Sequence, residues 1–231
     1  MRAHEGAFAA ATCLRDFSAT PHIVGIATST GGPPALQRLL SSLPADFPAP
    51  ILVVQHISPG FEDSLATWLD SSGNIKVKVA TAGEHVRPGV AYLAPRDRHL
   101  CVTTAGRVHL SDAPPVGGFR PSGTVLFRSL AESFAERVAG VILTGMGSDG
   151  VEGLRALHHA GGTVLAQDER SSVVWGMPGV AVEAGLAHFV LPIEGIARKL
   201  MEIVSPPPAA NALPLPPARA IGPLSDEIVK A

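Results

Sequence analysis

The strongest constraint on this chain is the recurrence of short, almost unbroken apolar runs between segments patterned as helices. Ile23 to Thr28, Ile51 to Gln55, Gly140 to Thr144 and Thr163 to Ala166 are such runs. Continuous apolarity, rather than alternation, marks strands covered on both faces, as in a parallel sheet. Between them, Leu36, Leu39, Leu40 and Leu43 form the i, i+3, i+4, i+7 stripe of an amphipathic helix. Pro33 and Pro34 precede that stripe and suit a helix start. Val125, Leu126, Leu130, Phe134 and Val138 form a second stripe, with Ser122 or Thr124 as its cap. Strands alternating with helices of this length call for right-handed crossovers. The expected fold class is α/β: a doubly wound, mostly parallel, Rossmann-like sheet flanked by helices.

Residues 75–110 break the pattern. Lys76 to Val79, Val90 to Leu93, Leu100 to Val102 and Arg107 to Leu110 are short, closely spaced and β-like, and Thr104-Ala105-Gly106 suits a hairpin turn. An antiparallel hairpin excursion is expected there. Residues 1–20 show no sustained period and read as a flexible leader. Residues 21–204 carry the alternating pattern and form the expected domain. Residues 205–231 are rich in Pro and Ala, as in Pro206-Pro207-Pro208, and are expected to be disordered.

Composition narrows the function classes. With 46% apolar residues the chain has material for a packed core. A net charge of -2 with neutral His leaves no basic field for nucleic acid, and no polybasic run suggests an anionic membrane. No stretch has the length of a membrane-spanning helix. Cys13 and Cys101 are the only cysteines and make no disulfide framework, so a reducing cytoplasm is the default location.

The chemistry gathers at strand ends. Ser29 follows the first run, in Ile26-Ala27-Thr28-Ser29-Thr30-Gly31-Gly32. His56 follows the second, and Asp149 follows a later one, in Thr144-Gly145-Met146-Gly147-Ser148-Asp149-Gly150. Parallel topology sends all three to one rim, where ligands collect in open sheets. A serine hydroxyl needs a base to accept its proton, an imidazole suits that task, and a carboxylate fixes the imidazole tautomer. The N–H groups of Thr30-Gly31-Gly32 and of Gly145-Met146-Gly147 offer donors for an oxyanion. The order Ser, His, Asp differs from the Ser, Asp, His of α/β-hydrolases, and Ala27 occupies the first glycine position of a G-x-S-x-G elbow.

Each residue also has a plainer reading. The serine turn is equally the pattern of a phosphate-binding loop, His56 that of a strand-end histidine, and Asp149 that of a helix cap. Asp112 and Asp168 are rival carboxylates, Asp168 the better placed. The nucleotide motifs G-x-G-x-x-G and G-K-[ST] are missing at the serine turn. His85, His99, His158 and His159 lack metal-ligand spacing, so no metal is expected.

Taken together, these blocks resemble the catalytic domain of the chemotaxis protein-glutamate methylesterase family, the CheB type. The resemblance also runs through Tyr92-Leu93-Ala94-Pro95-Arg96-Asp97, Phe119-Arg120-Pro121-Ser122, Ala166-Gln167-Asp168-Glu169 and Gly176-Met177-Pro178. It implies hydrolysis of glutamyl methyl esters on chemoreceptor signalling helices, releasing methanol, and deamidation of receptor glutamines, with no cofactor. On this analogy Ser29 is the nucleophile, His56 the base and Asp149 its orienting acid. Met146 matches the oxyanion position, with Thr30 and Gly31 beside the nucleophile. Arg120 and Met177 are candidate substrate contacts on rim loops, and Trp175 with Met177 is a candidate cleft floor. The family's receiver domain has no counterpart in the leader, so control in cis is not expected. A receptor-binding module with an idle triad is the alternative.

Overall fold

The structure is a computed structural model and describes residues 23–204. The expected leader and Pro-rich tail lie outside the described residues. Seven strands form one parallel sheet in the order β3-β4-β2-β1-β7-β8-β9. They are β1 (Ile23–Thr28), β2 (Ile51–Gln55), β3 (Lys76–Val79), β4 (Val90–Leu93), β7 (Val138–Ile142), β8 (Thr163–Gln167) and β9 (Phe189–Leu191). A separate antiparallel pair is formed by β5 (His99–Val102) and β6 (Val108–Ser111).

The helices are α1 (Gly32–Ser41), α2 (Glu62–Ser72), α3 (Gly123–Phe134), α4 (Val151–His159), α5 (Met177–Glu183) and α6 (Ile193–Val204). They cover both faces, which is why β1, β2, β7 and β8 are buried at every position. One core joins Val24 and Ile26 to Leu36 and Leu39 of α1, Leu69 of α2 and Leu200 of α6. The other joins Ile23 and Ala27 to Phe127 and Leu130 of α3, Leu154 of α4 and Met177 of α5. Successive strand residues thus feed opposite cores, the period-two geometry of a strand. Val138, expected on the second helical stripe, is the first residue of β7; α3 stops at Phe134 and a 3-10 turn intervenes.

The antiparallel excursion is smaller than expected. β3 and β4 belong to the main sheet and pair in parallel, with Lys76 opposite Val90 and Val79 opposite Leu93. The return that parallel pairing requires runs through residues 80–89, which lie along β6. Gly83 donates to Val108 O (2.9 Å), Val108 to Glu84 O (2.8 Å) and Val86 to Gly106 O (3.0 Å). β3 is a half-covered edge strand, so its partial exposure, with Lys76 exposed and Val77 buried, imitates an antiparallel ribbon.

The strand order reverses beside β1. Chain leaving β1 continues outward through β2, whereas β7 returns on its other side. This switch point opens a crevice beyond the carboxyl ends of β1, β2 and β7.

Candidate active site

Register sets the first two residues of the site. Thr28 on β1 stands opposite Gln55 on β2, so Ser29 and His56 are the next residues on adjoining strand ends. His56 N donates to Thr28 O (3.0 Å), and Ser29 N donates to Thr144 O beyond β7 (3.0 Å). The buried Gln55 side chain then ties the pair: its Nε2 donates to Ser29 O (2.9 Å) and to His56 O (2.8 Å). The sequence reading placed Gln55 at the end of a strand and beside His56 in the family-like block Val54-Gln55-His56, with no role of its own. A polar residue closing an apolar run was the available signal. On the other flank the Thr28 hydroxyl donates to Thr144 O (2.8 Å) and the Thr144 hydroxyl to Thr30 O (2.9 Å), which fixes the serine turn.

Asp149 reaches this rim from the loop between β7 and α4. Its Oδ2 lies 2.8 Å from His56 Nε2, with both side chains almost fully buried. The carboxylate is held on its other edges by α3. The Ser122 hydroxyl donates to Oδ1 (2.6 Å), Gly123 N to Oδ2 (2.6 Å) and Thr124 N to Oδ1 (3.2 Å). Asp149 is therefore a helix cap and an imidazole partner at once, and the helix it caps is α3, not the α4 that follows it. Burial pushes the Asp149 carboxyl up, but the hydrogen bonds from His56, Ser122 and Gly123, with the charge of His56, outweigh it and hold the group at about 2. The positive end of α3 acts in the same direction.

With Nε2 directed to Asp149, the second ring nitrogen, Nδ1, is buried without a hydrogen-bond partner. The Ser29 side chain is half-buried, and its hydroxyl makes no hydrogen bond to His56 here. The structure thus joins two of the three expected residues by a direct bond and sets the third beside them through backbone register. Phe119 stacks on His56, with centroids 4.1 Å apart and planes 3° from parallel. It lines a cleft of about 360 Å³ that also includes His56, Glu62, Arg96 and Arg120. It equally lines a second depression of about 340 Å³, bounded by Gly147, Ser148 and Asp149.

Donors are also at hand. Gly32 N is used within the serine turn and Gly145 N is used on Val174 O. Among the described residues the amides of Met146 and Gly147 donate to no protein acceptor. Gly145 lies against the serine, since a Cβ there would sit 2.7 Å from Ser29 Cβ and 2.4 Å from Met177 Sδ. Met146 and Val173 are both 69% exposed, with Val173 packed directly on Gly31.

Of the remaining sequence candidates, Arg120 is in the lining of the His56 cleft. Arg120 Nη1 donates to the carbonyls of Asp112 and Ala113 (both 3.3 Å), so its observed contacts anchor its own loop. Met177 is fully buried beneath Gly145 and presents no surface. Trp175 is half-buried and donates to Gln167 O (3.0 Å). The rival Asp168 accepts from the Ser171 amide and hydroxyl, and Asp112 pairs with Arg98; neither touches His56. Ala27 needs no left-handed backbone, being an ordinary residue of β1, and its Cβ fits the space over Gly123. Among the described residues no group of three or more His, Cys, Asp or Glu is placed to hold a metal ion. No helix there is long and apolar enough to cross a membrane.

A family model described as CheB methylesterase matches residues 24–200. Among curated proteins, protein-glutamate methylesterase/protein-glutamine glutaminase 4 of Myxococcus xanthus (strain DK1622) is 58% identical over 180 residues, spanning 78% of this chain and 51% of that protein. Protein-glutamate methylesterase/protein-glutamine glutaminase 3 of Anaeromyxobacter dehalogenans (strain 2CP-C) is 55% identical over 179 residues, spanning 77% and 52%. The chain therefore spans about half the length of the curated relatives it matches. The crystal structure of the Thermotoga maritima CheB methylesterase catalytic domain superposes with a TM-score of 0.77 at 44% identity, covering 80% of this chain and 100% of that one.

Proposed function

Since this chain belongs to the CheB methylesterase family, we propose that it is a serine hydrolase that removes methyl esters from glutamate side chains of chemoreceptor signalling helices. Methanol leaves in that reaction. Deamidation of receptor glutamines is the same acyl chemistry with ammonia as the leaving group, and the names of the relatives carry both activities. The observation that supports this reading best is the buried His56–Asp149 pair, 2.8 Å apart, beside the strand end that carries Ser29.

In this mechanism Ser29 Oγ attacks the ester carbonyl while His56 accepts its proton at Nδ1, the nitrogen that Asp149 does not occupy. Asp149 holds the tautomer with hydrogen on Nε2 and stabilises the imidazolium that forms. The negative oxygen of the tetrahedral intermediate takes the amides of Met146 and Gly147, with Thr30 and Gly31 shaping the turn around the nucleophile. His56 returns the proton to the departing methoxide, and a water activated by the same imidazole then frees the glutamate. The Ser29–His56 contact forms in the substrate complex, since catalytic contacts commonly tighten only when substrate is bound.

The test is methanol release from methylated receptor by the wild-type chain and by Ser29→Ala. Loss of release in the variant supports the assignment; equal rates refute it. A fluorophosphonate probe separates the reading from that of an idle binding module. An enzyme labels at Ser29 in a manner that requires His56, whereas a module binds receptor without labelling.

A further inference from the structure

We propose that Phe119 is a positioning residue for His56, fixing the plane of the imidazole so that Nδ1 is held ready for the proton of Ser29. This rests on the Ser29–His56–Asp149 reading above. A single hydrogen bond through Nε2 locates one atom of the ring and leaves its tilt soft. Torsion at an sp³–sp² bond such as His χ2 is broad, so rotamer preference does not define the plane. Nδ1 has no hydrogen bond to add a second restraint. The stacked Phe119 ring, 3° from parallel at 4.1 Å, restrains the coordinate that the hydrogen bond leaves free.

The way Phe119 is presented supports this role. Val116 and Phe119 exchange both backbone hydrogen bonds (3.0 Å each) across Gly117 and Gly118, with φ of 59° and 86°. Two central residues at positive φ make this a type I′ hairpin turn, the tightest rigid support a loop offers. A Cβ on either glycine would meet nothing within 4 Å, so the glycines serve backbone conformation alone. Arg120 anchors the next residue to Asp112 and Ala113, and Ser122 then bonds Asp149. One continuous segment therefore holds the face of the base and the edge of the acid that orients it. Phe119 keeps 36% of its surface exposed, so burial in a core does not explain its placement.

The proposal is tested by the kinetics of fluorophosphonate labelling at Ser29 and by the NMR signal of the His56 Nε2 proton that faces Asp149. Phe119→Leu retains the bulk and removes the plane. It is expected to lower the maximal labelling rate by roughly 10- to 100-fold, the scale of a sub-ångström to 1 Å misplacement, with little change in the half-saturating probe concentration. Phe119→Tyr should restore most of the rate, and Gly118→Ala, which distorts only the turn, should fall between. The Nε2 proton signal, sharp in the wild type, should broaden in Phe119→Leu. Equal maximal rates in wild type and Phe119→Leu overturn the proposal, as does an effect confined to half-saturation, which would make Phe119 a substrate wall. Failure of the wild type to label sinks the hydrolase reading instead, and the NMR comparison then decides alone: an unchanged signal in Phe119→Leu overturns the positioning role.

Discussion

The sheet rim and the 116–124 segment meet at His56 by different means. At the rim, buried strands carry Ser29 and His56 to adjacent ends, and the positions follow from register and from Gln55. In the segment there is no strand and no period, only a two-glycine turn, an anchored arginine and the first turn of α3. The rim decides which groups are neighbours. The segment decides how two of them are oriented, through Phe119 on the ring and Ser122, Gly123 and Thr124 on the carboxylate. Proximity and orientation are thus supplied by separable parts, and substitutions in each should fail in different ways.

The largest effect should come from the rim. Ser29→Ala removes the proposed nucleophile and is expected to lower kcat by roughly 10⁴-fold or more, leaving only what binding and oxyanion donors provide. Thermal stability should be unchanged, because the half-buried hydroxyl makes no bond that folding uses. Methanol release and a melting curve on the same preparation check both halves of that statement. Asp149→Asn should follow, with a loss on the order of 10⁴ in kcat from the wrong tautomer. Unlike the serine variant it should also destabilise the fold, since the carboxylate caps α3.

Gly145→Ala tests how tightly the rim is packed. The added Cβ would meet Met177 Sδ at 2.4 Å and Ser29 Cβ at 2.7 Å. The Met177 thioether is flexible, but Ser29 N also stands 3.0 Å away, so the serine turn must shift. A displacement of this size costs about 10²-fold in kcat. Comparable kcat in Gly145→Ala and wild type would show that the nucleophile tolerates looser placement than the strand register implies.

These two parts also differ in how far the sequence revealed them. Unbroken apolar runs located β1 and β2 at their observed ends, and parallel topology then predicted the shared rim for Ser29, His56 and Asp149. Asp149 was ambiguous because a helix cap and an imidazole partner can be the same residue type, and here one carboxylate makes both contacts. Ser122 or Thr124 read as the cap of α3; Ser122 holds the cap position, yet its hydroxyl is given to Asp149, which accepts the first-turn amides in its place. That exchange is a tertiary contact with no local signature. Phe119 was visible only as part of a family-like block, because a stacking partner at a distant strand end leaves no periodic trace. β3 and β4 were read as antiparallel because a four-residue strand carries no mark of its neighbour's direction; β3 is a half-covered edge, whereas β4 lies between β3 and β2.

Ser122→Ala should have the smallest catalytic effect, a few-fold in kcat, and the most diagnostic pH dependence. The Asp149 carboxyl sits at about 2, below its ordinary 3.8. A depressed carboxylate contributes stability that is complete above the unfolded value and is lost as pH falls through the folded one. The separation amounts to roughly 2 kcal/mol, present above about pH 4 to 5 and gone near pH 2. Deleting the Ser122 donor should raise the folded value toward 3.8. That change removes about 1 to 2 kcal/mol at neutral pH and flattens the acid arm of the stability curve. Chemical denaturation of both proteins between pH 2 and 7 reads this directly, and the two curves should converge at the acid end. Parallel curves over that range would mean that Ser122 supports α3 without favouring the charged form of Asp149, and the 116–124 segment would then orient the base alone.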